Sequence, residues 1–295
     1  MALAGQVASS LYALGAVCTW GVSDFLGGYT ARRFHAFFLA ALGHMSGTLL
    51  MFSIALAAHA PFPPQSHLIW AAAAGVAGGL SLALFYRALS LGNMGISAPV
   101  TAVLSAGIPT IFGIVREGFP GYLPSAGFAL ALAGIWLVSR PEQRGRPKGL
   151  GLAVVAGIGF ALFFIFIKKT GSGDAFWIAG VARTASFAVT GAITLFGRRF
   201  SPFYRGGVWI GLLAGCIDVS GTAFFVRAGQ TGRLDVAVVL SSLYPAITVL
   251  LARIFLHEKF TRWKTVGMLA ALAASAGSLS VAVTRAASFA ASAAV

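Results

Sequence analysis

The chain has 295 residues, of which 58% are hydrophobic and only 9% charged, and it carries a formal net charge of +14. A soluble domain carries about a quarter charged residues, so this composition excludes an ordinary water-exposed surface and selects lipid as the solvent. The basic excess does not mark a nucleic-acid binder: Lys and Arg gather at the ends of apolar runs, as in Arg32-Arg33, Lys168-Lys169 and Arg198-Arg199, without interleaved stacking aromatics.

A membrane span needs about 20 predominantly apolar residues. Ten stretches qualify, so the sequence predicts an all-α membrane protein. The N-terminus, MALAGQVASS, has no basic region and predicts no cleaved signal peptide. The first five spans are Val7–Tyr29, Phe34–Ala58, Leu68–Leu91, Met94–Val115 and Tyr122–Ser139. After the polar connector RPEQRGRPKG (Arg140 to Gly149) come Leu150–Ile167, Ala175–Phe196, Val208–Val226, Val236–Leu256 and Thr265–Val283.

The connector divides the ten spans into five and five, and the halves echo each other. FYRALSLG (Phe85 to Gly92) returns as FVRAGQTG (Phe225 to Gly232), and VREGF (Val115 to Phe119) as LHEKF (Leu256 to Phe260). Gly127 and Gly267 follow those two glutamates, and Arg32-Arg33 parallels Lys168-Lys169. Residues 1–140 and 149–285 are therefore expected to be two repeats. An odd number of spans per repeat starts the second on the opposite face of the membrane, an inverted pair around a central cavity, as in alternating-access carriers. Basic residues number fourteen on the side of the first loop and six on the other, with Arg183 inside a span. By the positive-inside rule both termini then lie outside the cell.

Intramembrane charges are expensive, about 2.5–3.5 kcal/mol each on insertion scales, and each needs a partner or a cavity. Asp24 lies late in the first span, His44 in the second, Arg183 in the seventh and Asp218 in the eighth. Two readings follow. In one, Arg183 or a protonated His44 receives a substrate carboxylate while Asp24 or Asp218 receives an ammonium. In the other, Asp24 with His44 and Arg183 with Asp218 form pairs that fix helix packing. Pro99 and Pro109 in the fourth span and Pro245 in the ninth predict bent helices beside water, with a hinge at each bend. Trp20, Phe85, Phe164, Trp177 and Tyr244 are candidate rings for an apolar cavity wall, Trp20 and Tyr244 the deeper of them, whereas Trp70, Trp136, Trp209 and Trp263 read as interfacial. GVAGGLSLA (Gly75 to Ala83) and GLLAGCIDVSG (Gly211 to Gly221) read as close helix-packing faces. Cys18 and Cys216 read as buried small hydrophobes.

Enzymatic motifs are lacking. HEKFT (His257 to Thr261) has threonine where a zinc protease needs its second histidine, and no metal-ligand or cofactor signature stands out.

CTWGVSDFLGG (Cys18 to Gly28), LFYRALSLGNMGISAPV (Leu84 to Val100) and SSLYPAITVLLARIFLHEKFTRWKTVG (Ser241 to Gly267) resemble the drug/metabolite transporter superfamily. The likeness is to its ten-helix EamA-type members, among them bacterial amino-acid exporters, and it runs over essentially the whole chain. It implies a wall built from the third, fourth, eighth and ninth spans, hence Ser81, Phe85, Ser97, Thr101, Asp218, Ser242 and Tyr244. It also implies termini inside the cell, against the basic-residue count. The expectation is a multi-pass inner-membrane secondary transporter, working as a monomer without cofactor or metal. It would export small metabolites, aromatic or other apolar amino acids first and lipophilic cations or drugs as the alternative. Its only other partner would be membrane lipid.

Overall fold

Hydrocarbon offers no hydrogen bonds, so an apolar run of span length must close its backbone bonds internally, and helix is the forced local structure. A computed structural model describes residues 2–91, 94–118, 149–200, 205–232 and 234–256, with isolated positions at 122, 126, 129, 130, 133 and 266. Among the described residues the regular elements are all helical. They are α1 (Ala2–Thr30), α2 (Ala36–Ala57), α3 (Gln65–Ser90), α4 (Met94–Glu117), α5 (Leu150–Lys169), α6 (Ala175–Phe196), α7 (Arg205–Thr231), α8 (Leu234–Ser241) and α9 (Tyr244–Leu256). Among the described residues, six stretches are long and apolar enough to cross a membrane: Ala36–Ala57, Gln65–Ser90, Leu150–Lys169, Ala175–Phe196, Gly206–Thr231 and Ala237–Leu256. The last covers both α8 and α9. The expected fifth and tenth spans fall almost wholly outside the described residues.

Local geometry is written twice along the chain. His35 caps α2 by accepting from the Phe37 N–H, and Asp174, 139 positions later, caps α6 by accepting from Phe176 and Trp177. The far ends match as well. His59 and Arg198, again 139 positions apart, both have φ of +48°. After each, a backbone N–H reaches back five residues, Ala60 to Ala55 and Arg199 to Thr194, each at 2.9 Å. This six-to-one bond closes a helix end by satisfying carbonyls that the last turn leaves open.

The packing follows the same rule. α1 lies along α7 as α5 lies along α3; α2 packs on α7 as α6 packs on α3; α4 packs on α5 as the α8–α9 pair packs on α1. Exchanging α1–α4 for α5–α9 in order leaves this set unchanged. The contacts are made close by small residues and stitched by hydroxyls, as membrane helix pairs require. Gly43 of α2 meets Gly215 of α7 backbone to backbone, and Ser46 Oγ donates to the Leu212 carbonyl at 2.7 Å. Gly75 of α3 meets the Ala182 carbonyl of α6, and Ser186 Oγ donates to the Gly75 carbonyl at 2.7 Å. A buried core of Trp20, Phe85, Phe163, Phe164, Phe225 and Tyr244 occupies the centre. Leu49, Ile111, Val155, Trp209 and Phe255 stand exposed on the outside, the apolar girdle that a bilayer covers.

The expectation for the cysteines needs correction. Cys18 is exposed and Cys216 half-buried. In a lipid-facing protein the outer surface is as apolar as the core, so an apolar neighbourhood does not place a thiol inside.

Because the α2–α7 crossing has no room for a Cβ at Gly215, Gly215→Ala should lower stability by about 1–3 kcal/mol through overpacking. Gly107 of α4 has nothing within 4 Å of its would-be Cβ, so Gly107→Ala should be neutral or mildly stabilising. Thermal unfolding of the two purified variants in one detergent checks the contrast.

Candidate functional site

Between the helices lies a cavity with about 460 Å³ of atom-free space, part of it open to solvent. Its wall comes from seven helices. Trp20 and Asp24 come from α1, Gly78 and Leu82 from α3, Ser105 from α4, and Phe160, Phe163 and Phe164 from α5. Arg183 of α6, Asp218 of α7 and Tyr244 of α9 complete it. Gly78, Ser105, Phe160, Arg183 and Asp218 each fall near the middle of their helices. The cavity therefore sits at mid-depth of the helical layer.

Its charges are arranged unequally. Arg183 Nη2 forms an ion pair with Asp218 Oδ2 at 2.7 Å and donates to Thr222 Oγ1 at 2.5 Å. The pair is deeply buried, Arg183 6% and Asp218 5% exposed. Trp20 Nε1–H donates to the Asp218 carbonyl at 3.1 Å and so ties α1 to the same turn of α7. Asp24 is also 5% exposed and borders the cavity. No hydrogen bond or ion pair reaches it from the described residues, and the charges of Asp218 and Arg183 act on it only at longer range. Pairing cancels Arg183 against Asp218, so Asp24 leaves the cavity with one uncompensated negative charge when ionised. That charge faces an aromatic wall: Trp20 packs with Phe164 (centroids 5.8 Å apart) and edge-on to Tyr244 (6.4 Å), and Phe163 packs on Phe164 (5.5 Å). The Tyr244 hydroxyl is buried without a hydrogen-bond partner among the described residues.

Of the residues singled out in the sequence, Trp20, Asp24, Phe164, Arg183, Asp218 and Tyr244 thus come together. The others sit elsewhere. His44 Nδ1 lies 3.1 Å from Thr190 Oγ1, whose own proton goes to the Ser186 carbonyl, so Nδ1 carries the hydrogen and Nε2 has no partner among the described residues. Ser81 donates to the Ala77 carbonyl, Thr101 to that of Ala153 and Ser242 to that of Val238. Ser97 is buried with no hydrogen-bond partner for its hydroxyl among the described residues, and Phe85 is fully buried with its ring edge-on to Phe160. Of the two conceivable ion pairs, Arg183 with Asp218 forms; Asp24 and His44 do not pair. α4 runs unbroken as helix through Pro99 and Pro109, whereas the ninth span is interrupted at Ser242–Leu243, immediately before Tyr244 and Pro245.

Sequence reasoning missed Gly78, Leu82, Ser105, Phe160 and Phe163. The phenylalanines had a signal: Phe160, Phe163 and Phe164 stand at i, i+3 and i+4, one face of a helix. Gly78 is needed because a Cβ there would come 2.9 Å from the Phe163 ring. A smaller space of about 230 Å³ adjoins, sharing Leu82 and Asp218 with the main cavity and lined further by Tyr86 and Gly215.

Residues 147–280 match the model of the EamA-like transporter family. An EamA-like domain is thus present in the second half of the chain, and it indicates a transporter of the drug/metabolite type in the membrane. A crystal structure of another protein has the same fold, with TM-score 0.70 at 19% identity, covering 94% of this chain and 98% of that one. No curated protein matches the chain.

Removing one partner of a buried ion pair costs about 3–5 kcal/mol, while replacing both by apolar groups is often neutral. Arg183→Leu should therefore unfold at markedly lower temperature than the parent, and Arg183→Leu/Asp218→Leu should recover much of the loss. A double variant no better than the single would show that Asp218 is not the group left stranded.

Proposed function

We propose that the protein is a secondary transporter that exports small amine-bearing metabolites, aromatic or other apolar amino acids first among them, across a bacterial inner membrane by alternating access. The observation that carries this reading is the unpaired Asp24 carboxylate in an aromatic cavity at mid-depth, beside an Arg183–Asp218 pair that neutralises itself. A carboxylate so placed is matched by an ammonium group, with a charge-assisted bond that the low-dielectric wall strengthens. Trp20, Phe160, Phe163 and Phe164 offer rigid apolar area to a side chain and a negative ring face to a cation. The substrate carboxylate competes with Asp218 for Arg183, so binding loosens the α6–α7 tie while satisfying both charges.

Alternating access needs two halves that can rock about the site. Residues 1–140 and 149–285 serve as those halves, inserted with opposite topology. The reading is supported by helix pairings that survive exchange of the halves and by the twin turns and caps. The interruption at Ser242–Leu243 sets a flexible joint beside Tyr244 on the wall, next to Pro245, and Pro99 and Pro109 act as the corresponding bends of α4. One chain encloses the cavity, so a monomer suffices. Gradients of substrate, alone or with protons, supply the energy. The basic-residue count supports termini on the outer face.

A second reading, export of lipophilic cations, is favoured by one observation: Arg183 is already committed to Asp218 and Thr222, leaving a net negative cavity. Counterflow in proteoliposomes separates the two, with labelled phenylalanine, phenethylamine and tetraphenylphosphonium as test substrates. Saturable phenylalanine counterflow supports the first reading; tetraphenylphosphonium flux without phenylalanine flux supports the second. Counterflow of none of the three defeats both.

Asp24→Asn keeps the shape and removes the charge. A hydrogen bond to a charged group contributes about 1.5–3 kcal/mol, so amine flux at sub-saturating substrate should fall at least about tenfold. The folded yield, read by size-exclusion chromatography, should hold. Unchanged flux would remove Asp24 from the binding site.

A further inference from the structure

Two junctions in the molecule share one construction and differ in one charge. At the first, the turn after α5 meets the end of α7. Asp174 caps α6 through Oδ1 and takes Arg227 Nη2 at Oδ2, 3.3 Å away. Gln230 Nε2 adds bonds to the carbonyls of Gly171 (3.1 Å) and Gly173 (2.6 Å). The carboxylate is the anion that this corner needs, and the chain supplies it.

At the second, the turn after α1 meets the end of α3. Arg87 stands in FYRALSLG where Arg227 stands in FVRAGQTG, and His35 caps α2 as Asp174 caps α6. The acid is replaced by an imidazole. A further cation arrives from the end of α6: the Arg199 guanidinium lies 5.3 Å from the Phe37 ring centroid. Burial, then the charges of Arg199 and Arg87, push the His35 pKa below its ordinary value. His35 is therefore mostly neutral at pH 7 and sits in a positive field. Arg87 and Arg199 are both exposed, and neither forms an ion pair among the described residues. Arg33 and Arg198 stand in the same two turns and add positive charge.

We infer that this corner binds the phosphate of an anionic lipid headgroup, clamped between Arg87 and Arg199 in the place that Asp174 fills at the opposite corner. Guanidinium forks suit phosphate oxygens in geometry as well as charge. The corner lies where helices of span length end, which is where headgroups lie, and basic groups there are drawn to acidic lipid by about 1 kcal/mol apiece. Arg87 belongs to the first half of the chain and Arg199 to the second, so one headgroup ties the halves together. The inference concerns the molecule's edge and stands apart from the identity of the transported substrate.

The test uses the full chain in nanodiscs of phosphatidylcholine, with or without phosphatidylglycerol, and reads the unfolding temperature. Phosphatidylglycerol should raise it for the parent protein, and Arg87→Gln/Arg199→Gln should lose most of that rise. Arg116→Gln, at the far end of α4, should keep it. His35→Asp restores an acid of the chain's own; it should unfold higher than the parent in phosphatidylcholine and gain little from phosphatidylglycerol. No rise in the parent, an equal rise in the double arginine variant, or an equal loss in Arg116→Gln overturns the site. A rise produced equally by inorganic phosphate in phosphatidylcholine nanodiscs overturns lipid as the source of the phosphate.

Discussion

A charge or a bare peptide group in hydrocarbon has no solvent to satisfy it, and the architecture follows from that one constraint. It makes the spans helical, and it confines ionisable groups to places where they find each other. The Arg183–Asp218 pair is the clearest case. Two groups that would each be prohibitive alone are joined at 2.7 Å, braced by Thr222 and by the Trp20 indole on the Asp218 carbonyl. These contacts draw α1, α6 and α7 to a common point, and the cavity opens around it. Gly43, Gly75 and Gly215 then allow the neighbouring helices to approach to backbone contact.

Asp24 is the exception that gives the cavity its chemistry. Every other buried charge described in the helical layer is paired, yet Asp24 borders open space with no bonded partner among the described residues. A protein can maintain such a group only if something else satisfies it for part of its working life: a proton, water or a substrate. The interruption of the ninth span at Ser242–Leu243 lies on the same wall. Where helix is lost at mid-depth, backbone groups are freed, and these are tolerated beside a wet cavity and not beside lipid.

The sequence was most legible where lipid makes a residue expensive. Asp24, Arg183 and Asp218 stood out as charges in greasy runs, and all three reach the cavity together with Trp20 and Tyr244. It was least legible where residues are cheap on either face of a helix. Ser81, Thr101 and Ser242 return their hydroxyls to helix carbonyls, a use that looks no different in sequence from lining a pocket. Phe160 and Phe163 share one helix face with Phe164, but phenylalanine suits lipid and cavity alike, so that face alone did not say which it meets; Cys18 faces outward for the same reason. Periodicity separates inside from outside only when the outside is water. FYRALSLG and FVRAGQTG, by contrast, repeat as words in the sequence, and the helix caps at His35 and Asp174 stand 139 positions apart.

The central claim is that this mid-depth cavity communicates with water, on alternate faces, through rocking of the two halves. Ser105 lies on the cavity wall and is not part of the charge network, which makes it a suitable reporter. With Cys18 and Cys216 replaced by alanine, Ser105→Cys would be exposed to a membrane-impermeant thiol reagent in right-side-out and in inside-out vesicles. Labelling from both faces, slowed by a transported substrate, is expected. Labelling by lipid-soluble reagents alone would mean that Ser105 sits in a sealed or lipid-facing site, and the account would fail.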